Sequence, residues 1–186
     1  MTTEKPSVPV IGPALAYRMV DMLHLREDDV LVIPTANVGE LVMPIFNSSH
    51  RQMFPIPEIA LLIAENEKQA DSLKADIPRY EERDVIVLIG DFLAMESLLN
   101  VTVVALGPPT NSEQDIARIY HAWKLLLPGG RLVALCSEPA FDGRTDLSAA
   151  FLAFLDVTRT AYTPVSPDSF SDKTTKARLV YLEKQT

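Results

Sequence analysis

One cysteine, Cys136, and three histidines, His24, His50 and His121, are all that 186 residues offer to soft metals or thiol chemistry. A single cysteine builds neither a disulfide framework nor a Cys-rich metal site, and the histidines are scattered, so no metal is expected. Cys136 sits in an apolar run and reads as a small buried strand residue of a protein at home in a reducing compartment. No uninterrupted apolar stretch approaches the ~20 residues of a membrane span. Met1 to Pro9 is polar and proline-containing rather than basic and then apolar. A soluble, cytoplasmic protein with no membrane partner is therefore the expectation. The chain has no Gly-rich loop ending in Lys-Ser/Thr for nucleotide phosphates and no Gly-x-Ser-x-Gly. Positive charge is short as well: the net charge is -8, which argues against nucleic acid as a partner. Residues 1–143 carry 20 Asp/Glu against 11 Lys/Arg, whereas residues 144–186 carry 5 against 6. The mildly basic tail, with Lys173, Lys176, Arg178 and Lys184, reads as a solvated strand edge or a phosphate track.

Apolar residues make up 47% of the chain and charged residues 23%, with 14 Pro, enough for one domain with a sizeable core. We expect a flexible N-terminal segment over 1–12 and a single domain over 13–186. Val30 to Ile33, Ile59 to Ala64, Val85 to Ile89, Val101 to Leu106 and Leu132 to Leu135 are strand-length and nearly continuous in apolarity. That pattern predicts strands buried on both faces. Between them lie amphipathic stretches over Pro13 to Leu25, Glu67 to Ala75 and Ser112 to Leu127, the last with Ile116, Ile119, Tyr120, Trp123 and Leu127 on one face. Alternating strands and helices imply βαβ units and a mostly parallel sheet. Pro128-Gly129-Gly130 ends the long helix. A helical patch, Phe151 to Leu155, is followed by strand-like alternation over Thr158 to Thr163 and Ala177 to Leu182, which predicts an antiparallel pair at one end of the sheet. The expected fold is thus a three-layer α/β sandwich with a seven-stranded, mostly parallel sheet. Glu81-Glu82-Arg83-Asp84 reads as a solvated approach to a strand, His121 as a surface or interface residue, and Tyr120 and Trp123 as helix-packing residues.

From Gly12 to Glu183 a set of segments recurs in order. A leading helix spans Leu15 to Leu25, and Val30-Leu31-Val32-Ile33-Pro34-Thr35-Ala36-Asn37-Val38-Gly39-Glu40-Leu41 is a strand running into a turn and an apolar helix. Glu65 ends the second strand, Gly90-Asp91-Phe92-Leu93 follows the third and Gly107-Pro108-Pro109-Thr110 follows the fourth. Leu126 to Val133 and a closing pair, Ser166 to Phe170 and Lys176 to Val180, complete the series. In this order and spacing the chain resembles the class I, Rossmann-like S-adenosylmethionine-dependent methyltransferases. More narrowly, it resembles the small adenine-N6-type enzymes often carried by phages and mobile elements, which would place it in a host cytoplasm.

The resemblance implies roles for particular residues. Pro34, Thr35, Ala36, Asn37 and Gly39 stand at the loop that approaches the methionine part of S-adenosylmethionine, where backbone N–H groups need a sharp turn. Asn37 replaces the first glycine; Asn tolerates positive φ, so the turn can persist while its side chain enters the ligand's space. Ile33 stands in place of the acidic residue that holds the ligand's amino group. The other reading of Pro34 to Gly39 is a strand-to-helix turn that binds nothing. Glu65 is placed either to accept from ribose hydroxyls or to serve as a charge at the start of the helix near Glu67. Asp91 accepts from the adenine amino group with Phe92 packed on the ring, or else Asp91 caps a turn and Phe92 is core.

The departure that matters most is after the fourth strand. Gly107-Pro108-Pro109-Thr110 stands where the adenine-type enzymes carry Asn/Asp-Pro-Pro-aromatic, in which the polar side chain orients the target amino group and the ring stacks on the flipped base. Gly107 has no acceptor and Thr110 has no ring; loss of the stack alone forfeits about 1–3 kcal/mol per base. No catalytic residue can be assigned. The expectation is a degenerate, non-catalytic homologue that binds a protein partner, with homo-oligomerisation open. The alternatives are a transferase acting on a non-adenine acceptor and a sensor of the methyl donor.

Overall fold

A computed structural model describes residues 9–34, 41–46, 55–77 and 84–185. Its elements run α1 (Pro13–Met22), β1 (Val30–Pro34), α2 (Met43–Phe46), β2 (Ile59–Ala64), α3 (Glu67–Asp76), β3 (Asp84–Ile89), β4 (Val103–Leu106), α4 (Ser112–Leu125), β5 (Arg131–Ser137), α5 (Asp146–Val157), β6 (Ala161–Val165) and β7 (Ala177–Glu183). These strands form one sheet in the order β3-β2-β1-β4-β5-β7-β6. The first five are parallel, and β7 runs antiparallel to both β5 and β6. The expected three-layer α/β sandwich with an antiparallel C-terminal pair is what forms.

Continuous apolarity in the central strands serves two cores, because successive side chains leave a strand on opposite faces. Leu31, Ile33, Val103, Ala105, Val133 and Leu135 meet Leu15, Met19 and Val20 of α1 and Leu73 of α3 on one side. Val32, Val104, Leu132, Ala134 and Cys136 meet Ile116 and Ile119 of α4 and Phe151 and Leu155 of α5 on the other. Each such Val, Leu or Ile contributes about 1.5–3 kcal/mol on burial. Cys136 is a fully buried strand residue, as its apolar surroundings suggested.

The starts of the central strands are tied together by polar groups. Asp29 and Arg131, both buried, form an ion pair at 2.5 Å. Asp29 also accepts from the Arg26 N–H and the Thr102 hydroxyl, and Arg131 donates to the Leu23 carbonyl, so α1, β1, β4 and β5 share one network. The end of α4 is closed by Lys184, whose ammonium donates to the carbonyls of Trp123 and Leu126, and Gly129 takes the turn at φ 78°.

Four expectations need amendment. β3 is an edge strand, and its continuous apolar run is not buried on both faces: Ile86 and Ile89 are exposed at 42% and 50%. β4 begins at Val103 rather than Val101: the Val101 carbonyl accepts from the Leu127 N–H, while the Thr102 backbone bonds Val30 and Arg131 and its hydroxyl donates to Asp29. The run Thr158 to Thr163 does not begin as a strand. Thr158 closes α5, its hydroxyl donating to the Phe154 carbonyl, and the strand starts at Ala161. Finally, the end of the N-terminal segment is docked: Ile11 is buried and bridges Phe170, and the Gly12 N–H donates to the Ser169 carbonyl. Residues 1–8 lie outside the described residues.

Candidate functional site

In a parallel sheet whose order reverses between β1 and β4, the crevice at the carboxyl ends of those strands is the natural ligand position. Those of the residues singled out in the sequence that are described lie at the carboxyl ends of the parallel strands. Pro34 is the last residue of β1 and pairs in register with Ile63 of β2. Glu65 follows β2, Asp91 and Phe92 follow β3, and Gly107 to Thr110 follow β4. Thr35, Ala36, Asn37 and Gly39 lie outside the described residues.

Glu65 is exposed. The start of α3 is capped without its carboxylate: the Asn66 side chain accepts from the Gln69 N–H, and the Gln69 side chain accepts from the Glu65 N–H at 2.7 Å. Asp91 is also exposed, and one of its oxygens caps the short turn Phe92–Ala94 by accepting from the Leu93 N–H at 3.0 Å. Phe92 is only 3% exposed and packs edge to face on His121, with ring centroids 4.7 Å apart. Asp91 thus caps the turn with one carboxylate oxygen, and Phe92 is a core residue. His121 is correspondingly half-buried beneath this edge rather than a surface residue.

After β4 the backbone is braced from two sides. A Cβ placed on Gly107 would point into apolar packing, 3.0 Å from Cδ1 of Ile11, 3.5 Å from Cδ1 of Leu135 and 3.6 Å from Cε of Met19. A polar side chain at this position would face the core. Thr110 is committed as well: its N–H and its hydroxyl both donate to one oxygen of Asp115 at 2.9 Å. The other oxygen of Asp115, a buried residue, accepts from the Ser137 N–H at 2.9 Å, so one carboxylate clamps the loop after β4 to the end of β5. Sequence reasoning missed Asp115 and Ile11. The signal for Asp115 was its place beside Ile116 and one turn from Ile119 on the buried face of α4; Ile11 carried none, because its contacts are remote in the chain.

Beyond this crevice, Arg178 of β7 forms a two-pronged ion pair with Glu138 and lies over the rings of Phe141 and Tyr162, 4.8 and 5.5 Å from their centroids. The guanidinium holds the Glu138 carboxyl below the usual carboxylate range. Burial, reinforced by Asp115, pushes the Cys136 thiol far up. No group of three His, Cys, Asp or Glu suited to a metal occurs among the described residues, and no described helix is long and apolar enough to cross a membrane.

No family model matches the sequence, and no curated protein matches it either. Solved structures do. A Listeria monocytogenes protein assigned to the class I S-adenosylmethionine-dependent methyltransferases superposes with a TM-score of 0.70 at 15% identity, over 100% of this chain and 64% of that one. An rRNA methylase from Streptococcus thermophilus matches over 100% of both chains with a TM-score of 0.59 at 13% identity. An O-methyltransferase from Bacillus cereus, in complex with SAH, gives 0.61 at 13% identity, over 94% of this chain and 82% of that one. The chain has the class I methyltransferase fold. It spans just under two thirds of the Listeria protein.

The fold family implies S-adenosylmethionine, and the described residues fit it only in part. Glu65 offers an exposed carboxylate at the end of β2, suited to a pair of ribose hydroxyls. Ile33, buried at 2% exposure, offers an ammonium group no charge partner, and Phe92 shows no open face to an adenine ring. No catalytic step follows from this set.

Proposed function

We propose that this chain is a methyltransferase-fold protein that does not methylate adenine and acts by binding a protein partner. The observation that carries the reading is the loop Gly107 to Thr110. The position that would orient a target amino group has its Cβ direction aimed at Ile11, Leu135 and Met19, and the position that would stack on a base carries a threonine tied to Asp115. Orientation and stacking are what such an enzyme needs most, since methyl transfer to a good nucleophile depends chiefly on alignment. The acidic net charge agrees, because a phosphate backbone would be repelled.

The exposed Glu65 favours a second reading, in which the donor is still bound, by a sensor or by a transferase for a different acceptor. Calorimetric titration with S-adenosylmethionine and S-adenosylhomocysteine separates the two. The first reading expects no heat and no thermal shift at millimolar ligand. Micromolar binding that disappears in Glu65→Ala would overturn it and call for an acceptor screen.

A further inference from the structure

On the face covered by α4 and α5, no described helix covers the β3 end of the sheet, and Ile86 of β3 is exposed there. The connection from β3 to β4, residues 90–102, crosses back over β2 and β1 with only the short turn Phe92–Ala94, where a crossover of this kind ordinarily carries a helix. The result is a trough of about 470 Å³ lined by Val30, Ile59, Leu61, Ile86, Leu88 and Ser97 to Leu99. Its walls are apolar and partly open to solvent: Ile86 is 42% and Leu99 84% exposed. From β3 to β1 spans two strand spacings, roughly 10 Å, about the width of one helix.

The trough has a charge signature. Among described residues within three chain positions of a lining residue, Glu27, Asp28, Asp29, Glu58, Asp91 and Glu96 are acidic and none is Lys or Arg; Arg83 lies outside the described residues. Asp29 is neutralised by Arg131, while Asp28, Glu58 and Glu96 are exposed. A second copy of this chain would bring the same acidic surround to a two-fold contact and set like charges against each other. An amphipathic segment with basic flanks meets the apolar floor and the acidic rim together.

We propose that this trough docks an amphipathic helix of a partner protein, with its apolar face on Ile86, Leu88 and Leu99 and with Lys or Arg along its edges. The assignment rests on the reading of the chain as a partner-binding scaffold, and it places the contact away from the crevice at the carboxyl ends of the strands.

The test uses the full chain and a labelled 18-residue Leu/Lys peptide patterned as an amphipathic helix, with fluorescence anisotropy in low and high salt. Expected is saturable binding that weakens with salt, falls at least tenfold in the Ile86→Ser/Leu99→Ser double variant and is unchanged in Val157→Ser, an apolar site elsewhere that is as exposed as Leu99. Equal binding by the double variant, or equal binding of a Leu/Glu peptide of the same pattern, overturns the proposal. Concentration-dependent dimerisation that Ile86→Ser abolishes in sedimentation also overturns it, in favour of a second copy. No methyl donor is present in this assay. A negative result therefore removes the trough alone, whereas donor binding with methyl transfer in the calorimetric and acceptor experiments removes the non-catalytic reading.

Discussion

The Cδ1 methyl of Ile11 lies 3.0 Å from where a Cβ on Gly107 would stand. A segment at the start of the chain thus packs on the residue that follows β4, and the space beside that residue is apolar. Gly107→Asn, which would rewrite the loop as Asn-Pro-Pro-Thr, is expected to bring no methylation of adenine in DNA and to lose about 1–3 kcal/mol of stability by overpacking. Urea denaturation and a methyl-transfer assay with adenine-containing DNA check both halves. Ile11→Ala combined with Gly107→Asn is expected to lose less than the two single changes added together, since the first makes room for the second.

Asp115 holds three hydrogen bonds from Thr110 and Ser137. Asp115→Ala leaves two backbone N–H groups without their acceptor, at a cost of about 1–3 kcal/mol each where water cannot replace it. Hydrogen exchange should show protection lost at the Thr110 and Ser137 amides first, with β1 and β2 unchanged. Uniform loss across the sheet would mean that Asp115 supports the whole domain rather than the loop.

Asp29 and Arg131 are each about 4% exposed at their side chains. Removing one partner strands a buried charge, so Asp29→Ala should cost about 3–5 kcal/mol, while replacing the pair together with apolar residues of similar volume should cost far less. Denaturation of the single and double variants measures the difference.

The pair Glu138–Arg178 predicts an acid dependence. Arg178 lowers the folded-state pKa of Glu138 beneath its unfolded value of about 4.3. The contribution is therefore fully present above the unfolded pKa and is lost as pH falls through the folded one. Glu138→Gln should be less stable than the parent chain near neutral pH, by about 1 kcal/mol or less because the pair is partly solvated. The gap should close as pH falls below about 4. Thermal melts at pH 7, 5 and 3.5 follow it, and a gap that widened in acid would contradict the pairing.

The thiol of Cys136 is buried and its pKa is raised by burial. It is expected to react with a thiol reagent only as fast as the protein opens, and at full rate in denaturant.

What the sequence determined by itself is the repeating order of strands and helices and the sandwich that follows from it. Val30 to Ile33, Ile59 to Ala64 and Leu132 to Leu135 are apolar at every position because the central strands are buried twice, and that demand is written locally. The convergence of Pro34, Glu65, Asp91 and Gly107 on one edge was legible too, since each closes a parallel strand and parallel strands end on the same side. Phe92 was not, because its burial depends on His121, which lies 29 positions away and meets it only once α4 has docked. Nor was the bare face of β3: Val85 to Ile89 looks like any central strand, and only its place at the edge of the sheet, with a helix-free connection to β4, leaves Ile86 and Ile89 in solvent. The pairings of Ile11 with Gly107 and of Asp115 with Ser137 were likewise decided by the tertiary structure. They join residues with no local signal between them, and packing and hydrogen bonding act on distance in space rather than along the chain.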